Sequence, residues 1–444
     1  MSQPRRVLAA GLIGSAIEWY EFFIYGTAAS LVFGKLFFPD FDPVVGTLLA
    51  LSTFAVGFVA RPIGSVVFGH FGDRLGRKSM LVITLVMMGV ATTLTGLLPT
   101  YESIGIWAPI LLVVLRMVQG FSLGGEYGGA VLMSVEHAGP RKRGLYGAVV
   151  NTGVGWGLLL ATIVFLGLSQ LSDEAFYAWG WRVPFLSSIV LVGIGLVIRL
   201  KLEESPDFEK ARQTGEIQKL PIAEVLRKYP VYVVLMCLAY LSSGVTFYIA
   251  TVFSLSYGTK TLGESRSTLL GLISISVCIV MAGMIYFGWL SDRVSRRAIF
   301  FVGLVGMTAA PWAWFALLGT GDWPLMLLGF ALLLIPYAAN YGIMPAYFVA
   351  VFPAHIRYTG LSLGYTLGAV LAGGTAPIIA TFLFGEFGDW HAIALYMSAV
   401  GVLSMIGAIF LRERYTGNTP SDAHPTTATA AAETREPVIA PNAG

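Results

Sequence analysis

Five ionisable side chains stand inside long apolar runs of this 444-residue sequence: Glu18 and Glu21 in the first run, Arg61 in the second, Arg116 and Glu126 in the fourth. Facing lipid, each would cost a few kcal/mol, so they must face one another or a wet cavity. Glu18, Glu21 and Tyr25 follow i, i+3, i+7 spacing and share one helix face. Arg116, Gln119 and Glu126 fall within about 80° of arc at about 100° per residue. Three carboxylates against two guanidiniums leave one acid without a partner, and that acid is the natural proton carrier. A carboxylate in an apolar bundle holds its proton tightly, and a nearby guanidinium loosens it. Moving the Arg, or giving it a substrate carboxylate instead, would therefore couple proton binding to substrate binding.

On this basis Glu18 or Glu21 is predicted to carry the proton, with Glu126 as a further candidate that a static gate pairing explains nearly as well. Arg61 and Arg116 are predicted to take a substrate anion or to form the coupling pair, because guanidinium meets carboxylate bidentately. Tyr25 and Gln119 share those faces. From the second half, Tyr240, Phe247, Tyr248, Tyr337, Asn340 and Tyr341 are candidates for cavity lining. Such a cage suits a quaternary ammonium as well as a ring compound, although aromatic packing between membrane helices accounts for the same residues.

The elements that position these groups are read from composition. The chain is 56% hydrophobic and 12% charged, with a mean hydropathy of +0.75; soluble domains carry about a quarter charged residues. It is an integral membrane protein by that measure. Twelve runs meet the roughly 20 residues that a span needs: 8–33, 44–68, 79–98, 107–134, 144–168, 182–200, 230–257, 267–290, 298–318, 323–350, 359–384 and 390–411. The predicted organisation is an all-α membrane protein of two six-helix bundles, 1–200 and 230–411. A cytoplasmic linker over 201–229 joins them, and a disordered cytoplasmic tail follows over 412–444. The first run lacks a small-residue cleavage site and reads as a retained helix. Lys and Arg crowd one set of loops, whereas the alternate set holds only Lys35, Lys260 and Arg266, with Arg182 at a helix mouth. Both termini are thereby predicted to face the cytoplasm across the cell membrane. Trp179, Trp181 and Trp390 fall near the predicted outer interface and read as belt anchors.

A basic motif organises both halves. Gly69-His-Phe-Gly-Asp-Arg-Leu-Gly-Arg-Lys78 returns as Gly288-Trp-Leu-Ser-Asp-Arg-Val-Ser-Arg-Arg297, 219 residues later. Arg143-Gly144 before the fifth run is echoed by Arg357-Tyr-Thr-Gly360 before the eleventh, 216 residues later, so a six-span unit is duplicated. The spacing predicts a tight turn at each copy, with Gly69, Asp73, Arg74, Gly76, Arg77 and Lys78 in the first and Asp292 and Arg293 in the second forming a gate.

This motif resembles the signature loop of the major facilitator superfamily, and the resemblance covers about residues 8–411. Glu18-Trp-Tyr-Glu-Phe22, Arg61-Pro-Ile-Gly64, Arg116-Met-Val-Gln-Gly120, Gly124-Gly-Glu-Tyr-Gly-Gly-Ala130 and Trp179-Gly-Trp-Arg-Val-Pro-Phe185 are similar to the metabolite:H⁺ symporter branch, which includes shikimate, α-ketoglutarate and proline/betaine permeases. The resemblance implies alternating access about a midplane cavity. Two departures stand out: Ser295 replaces the second-copy Gly, implying a looser second hinge, and Glu21 stands where Asp is commoner. The fifth run carries glycines for close packing but no Pro between 144 and 168. The family's antiporters usually have a Gly-Pro signature there, so its absence favours symport.

The expected function is proton-coupled uptake of a small polar metabolite, most of all an organic acid such as shikimate or a di- or keto-carboxylate. Uptake of a zwitterionic osmolyte (proline or betaine) and proton-coupled efflux are the alternatives. No enzyme chemistry is legible: there is no phosphate-binding Gly-x-x-x-x-Gly-Lys-Ser/Thr, and His70, His137, His355, His391 and His424 lack metal-ligand spacing. The proton serves as coupling ion, with no other cofactor expected. The partners expected are the substrate, H⁺ and the lipid bilayer, with no nucleic acid, and the chain is expected to act as a monomer.

Overall fold

A computed structural model describes residues 3–41, 43–139, 141–168, 170–204, 208–209, 213 and 221–415. The predicted tail lies outside them beyond Tyr415, as do residues 205–207, 210–212 and 214–220 of the predicted linker. Twelve helices are long and apolar enough to cross a membrane: α1 (Arg6–Phe37), α2 (Ser52–Leu75), α3 (Arg77–Leu97), α4 (Trp107–His137), α5 (Arg143–Leu168), α6 (Gly180–Leu200), α7 (Pro230–Thr259), α8 (Thr268–Ser291), α9 (Arg296–Leu318), α10 (Trp323–Val349), α11 (Ala354–Phe387) and α12 (His391–Phe410). Their number and order match the sequence expectation, with ends displaced by a few residues. Val59, Ile163, Val302 and Ile378 are among many large apolar side chains left exposed, the surface that lipid covers.

Irregular turns repeat with the halves. A π-helical turn interrupts α1 at Ala29–Phe33 and α7 at Ile249–Phe253. In the fifth helix of each half, α5 breaks at Thr152 and α11 carries a π-helical turn at Val370–Gly374. Wider turns free backbone groups and let a helix bend without Pro.

The halves meet tightly on the face that carries the basic motifs. Here the structure corrects the predicted turn: the chain stays helical to Leu75, and only Gly76, with φ of 106°, reverses it. The spacing of Gly69 and Asp73 is therefore an i, i+4 relation on one helix face. A Cβ at Gly69 would lie 2.8 Å from Thr359 Cα, so only Gly lets α2 and α11 approach this closely. At the repeat-related position, a Cβ at Gly288 would lie 2.9 Å from the Gly144 carbonyl oxygen, which sets the same approach of α8 to α5. Ser295 is also corrected. It starts α9 as an N-cap, accepting from Ala298 N at 3.3 Å, so the second copy is capped and not loosened.

Asp73 and Asp292 then act as caps in trans. Asp73 accepts from Tyr358 N (3.2 Å), Thr359 N (2.9 Å) and Thr359 Oγ1 (2.8 Å) at the start of α11. Asp292 accepts from Gly144 N (2.8 Å) and Leu145 N (3.0 Å) at the start of α5. Each carboxylate serves the orphan amides and positive end of a helix in the opposite half. Burial pushes the Asp292 carboxyl above the usual range, against the two amides and Arg296 that favour its charge. Behind Asp73, Glu136 receives both Arg77 and Arg357, the latter at 2.9 Å, so one carboxylate joins α4 to both halves. Arg74 and Arg293 stay outside this network: Arg74 lies 3.4 Å from His70 Nε2, and Arg293 stacks 3.8 Å from the Trp289 ring centre. Lys78 donates to the Leu200 carbonyl at 2.9 Å, tying α3 to the end of α6.

Candidate functional site

The charges of the first half lie where the sequence places them, deep in the bundle: Glu18, Glu21, Arg61, Arg116 and Glu126 are each at most 8% exposed. Their pairing differs. Glu126 is ion-paired with Arg199 on α6 and accepts from Thr84 on α3, while Arg199 also donates to the Leu81 carbonyl. Arg199 belongs to this buried polar cluster without standing out in the sequence. It sits at the last turn of an apolar run, but it is 2% exposed. Gly14 makes room for it, since a Cβ there would overlap its guanidinium. The tally of three acids against two bases is thereby corrected to three against three, and Glu126 is neither the spare acid nor a gate between halves. It ties α3, α4 and α6 together within one half.

The remaining acids and bases form no ion pair with each other among the described residues. Arg61 and Arg116 lie against aromatic faces instead. The Arg61 guanidinium is 4.4 Å from the Phe58 ring centre and 4.8 Å from that of Phe22. Arg116 is 5.0 Å from Phe22, 4.2 Å from Tyr25 and 4.7 Å from Phe54. Phe22 thus contacts both cations, and ring faces supply partial negative charge without consuming N–H donors. Nε and Nη2 of both arginines are buried without a hydrogen-bond partner. Buried donors in that state signal an absent acceptor.

Glu18 lines two small cavities. The first, between the halves, is bounded by Ser15, Glu18, Trp19, Arg61, Tyr127 and Tyr365 among others. The second, inside the first half, is bounded by Glu18, Glu21, Thr84, Ser122 and Glu126 with apolar neighbours. The first has room for about one or two water molecules, so nothing larger fits unless the halves move apart. Its C-terminal wall is an aromatic cluster. Tyr127 of α4 and Tyr365 of α11 stack across the halves with ring centres 3.5 Å apart and planes within 8°. Tyr365 Oη meets Tyr341 Oη at 3.0 Å, and Tyr240 packs edge-on against Tyr365 at 4.8 Å. Tyr127 Oη lies beside the Asn151 side chain, whose amide is committed to the Tyr341 carbonyl at 2.7 Å. Neither Tyr127 nor Tyr365 was singled out from sequence, because a lone Tyr in a glycine-rich helix carries no periodic signal.

Several predicted site residues fall elsewhere. Tyr248 meets Phe58 across the halves at 6.3 Å and flanks this region. Tyr25 donates to or accepts from Thr53 at 2.8 Å and backs Arg116. Asn340 is spent on the second half's own packing, accepting from Ser243 Oγ at 2.5 Å and donating to the Phe300 carbonyl at 3.1 Å. Gln119 is wholly buried with both ends of its amide engaged: Oε1 accepts from Arg116 Nη1 at 3.1 Å, and Nε2 donates to Thr92 Oγ1 at 2.9 Å. Trp181 is not a belt anchor: it is fully buried against Phe33, Phe37 and Phe185, while Trp179 is half exposed. Among the described residues no group of His, Cys, Asp and Glu could hold a metal ion.

A family model described as the Major Facilitator Superfamily matches residues 12–370 and 272–441. The chain is 40% identical over 418 residues to the shikimate transporter of Escherichia coli strain K12, covering 93% of this chain and 95% of that protein. It is 43% identical over 420 residues to the inner membrane metabolite transport protein YhjE of the same strain, with the same coverage. It is 35% identical over 430 residues to that strain's proline/betaine transporter, covering 94% of this chain and 84% of the relative. Among solved structures it is similar to the proton:xylose symporter XylE bound to 6-bromo-6-deoxy-D-glucose. The TM-score is 0.77 at 15% identity, over 94% of this chain and 97% of that one, a likeness that speaks to fold.

Proposed function

Because the chain belongs to the Major Facilitator Superfamily and is a multi-span metabolite transporter, not an enzyme, we propose that it takes up a small organic acid together with a proton. The observation that carries this is Arg61: a buried guanidinium with two unpartnered N–H groups, lining one cavity with a carboxylate, Glu18, and two tyrosines. A carboxylate substrate supplies the missing acceptor, and the tyrosine faces and Tyr127 hydroxyl suit a hydroxylated ring. The shikimate transporter among the relatives supports the same class.

The proton enters the scheme by charge balance. An anion brought to Arg61 also approaches Glu18, and the two negative charges share one small cavity only if Glu18 or its neighbour Glu21 takes a proton. Substrate and proton are therefore bound together and released together. Zwitterionic proline or betaine carries its own cation, which the Tyr240, Tyr341 and Tyr365 cluster would receive, and the proline/betaine relative keeps that second reading in view. The motif face, closed by Asp73 and Asp292, is assigned to the cytoplasm with both termini and the linker 201–229. The halves 1–200 and 230–411 rock about the cavity within a single chain.

The test is uptake by proteoliposomes bearing an inward proton gradient, with shikimate, α-ketoglutarate, citrate, proline and betaine as competitors. Gradient-driven uptake competed by an acid supports the proposal. Competition by proline and betaine alone moves the substrate to the osmolyte class, and uptake indifferent to protonophore removes the proton.

A further inference from the structure

Glu21 and Arg116 do not touch, yet an unbroken line of oriented hydrogen bonds joins them. Arg116 Nη1 donates to Gln119 Oε1 (3.1 Å), Gln119 Nε2 donates to Thr92 Oγ1 (2.9 Å), and Thr92 Oγ1 donates to Glu21 Oε2 (3.0 Å). All four residues are at most 1% exposed. The line is thus free of solvent competition, and it begins at a cation and ends at a carboxylate. A chain terminated by opposite charges polarises every bond in the same sense. Thr92 is its reversible link. Its hydroxyl has one hydrogen, and a second acceptor, the Met88 carbonyl, waits 2.9 Å away. With Glu21 ionised, that hydrogen points to Glu21. With Glu21 protonated, the acid O–H donates to Thr92 Oγ1 and the Thr92 hydrogen turns to Met88.

We propose that Thr92 and Gln119 are positioning residues that couple the protonation of Glu21 to the availability of the Arg116 guanidinium for an anion. This inference rests on the proton-coupled uptake of an acid proposed above. An ionised Glu21 draws the chain tight and holds Arg116 Nη1 on Gln119. A proton taken up by Glu21 from the open side removes the anionic end of the chain, and Nη1 is released to join Nε and Nη2, which already lack partners. The sign is that of symport: protonation raises affinity for the anion, and by reciprocity the anion raises affinity for the proton. The other polar groups around Glu21 do not duplicate this route. They are Glu18 and Tyr20 on its own helix, Thr84 on α3, Ser122 and Glu126 on α4, the latter already paired with Arg199, and the Ser188 hydroxyl on α6.

The experiment is shikimate binding to the purified full chain in detergent, followed by intrinsic tryptophan fluorescence because Trp19 lines the cavity. Kd is measured at pH 6 and pH 8. For the unaltered protein, Kd at pH 6 is expected to be tighter by roughly tenfold, inside the range of about five- to 150-fold usual for linked sites. Thr92→Val keeps shape and removes the hydroxyl, and Gln119→Met removes the next link. Each is expected to shrink that ratio below about twofold, whereas Thr92→Ser retains it, since only Ser restores the donor and acceptor. Helical circular dichroism shows that each variant is folded, and Gln119→Met decides the matter alone if Thr92→Val is not. A full pH ratio in either folded variant, or an equal loss in Thr92→Ser, overturns the relay and leaves proton-coupled uptake standing. An unaltered protein that binds none of shikimate, α-ketoglutarate and citrate, or binds them without regard to pH, overturns the uptake reading and the relay with it.

Discussion

The joint made by Asp73 permits the most quantitative prediction. Its carboxylate is 2% exposed and takes three hydrogen bonds from Tyr358 and Thr359, in the first regular α-helical turn of α11, across the boundary between the halves. Hydrogen bonds to a charged group contribute about 1.5–3 kcal/mol each, and a charge at a helix end about 0.3–1 kcal/mol more. Asp73→Asn keeps one carbonyl acceptor, sets an N–H₂ against the Tyr358 amide and loses the charge. Allowing for water that solvates Asp73 when the face opens, closure should weaken by about 2–4 kcal/mol, roughly 30- to 1,000-fold in the closed-to-open ratio. Asp292→Asn, with one donor fewer, should shift the ratio less. Spin labels at exposed Lys142, just before α5, and Arg412, just past α12, would report the change as a longer distance population by double electron–electron resonance. An unchanged distance distribution in Asp73→Asn, or a larger shift in Asp292→Asn, would refute the trans-capping argument. Substrate binding should survive the substitution while turnover slows, and lost affinity at normal turnover would place Asp73 in the binding site.

Three further outcomes follow from the polar core. Arg199→Met leaves Glu126 buried without its cation and should cost about 3–5 kcal/mol, seen as a lower melting temperature that Arg199→Met/Glu126→Gln largely recovers. Glu21→Gln should abolish uptake driven by a proton gradient while exchange of labelled for unlabelled substrate persists; gradient-driven accumulation by this variant would move the proton to Glu18. Arg61→Lys keeps charge but loses the planar fork, so shikimate affinity should fall by about 1.5–3 kcal/mol, or roughly 10- to 150-fold, in a binding titration, whereas unchanged affinity would take Arg61 out of the site.

Much of this was legible in the sequence for simple reasons. Twelve spans follow from run length, and the duplication follows from Asp73 and Asp292 standing 219 residues apart. The buried charges were visible because hydrocarbon makes an acid or base conspicuous. Their partners were not, since pairing is set by how separate helices rotate against each other. Arg199 ends an apolar run, and only the packing of α6 on α3 and α4 draws it inward to Glu126. Asn340 looked like a ligand because an amide in an apolar helix needs a partner, yet that partner is Ser243 on α7 and the Phe300 backbone. The Gly69–Lys78 motif misled in the opposite direction. Glycine and charge suggested a turn, whereas helix continues to Leu75 and the first glycine serves contact with Thr359.

The central claim is that acid and proton travel together. Proteoliposomes containing a trapped pH indicator, given shikimate outside at equal pH on both sides, test it most directly. Coupled entry acidifies the lumen as labelled shikimate enters, and Arg61→Lys diminishes both signals in parallel. Shikimate entry with no change in lumenal pH would contradict it.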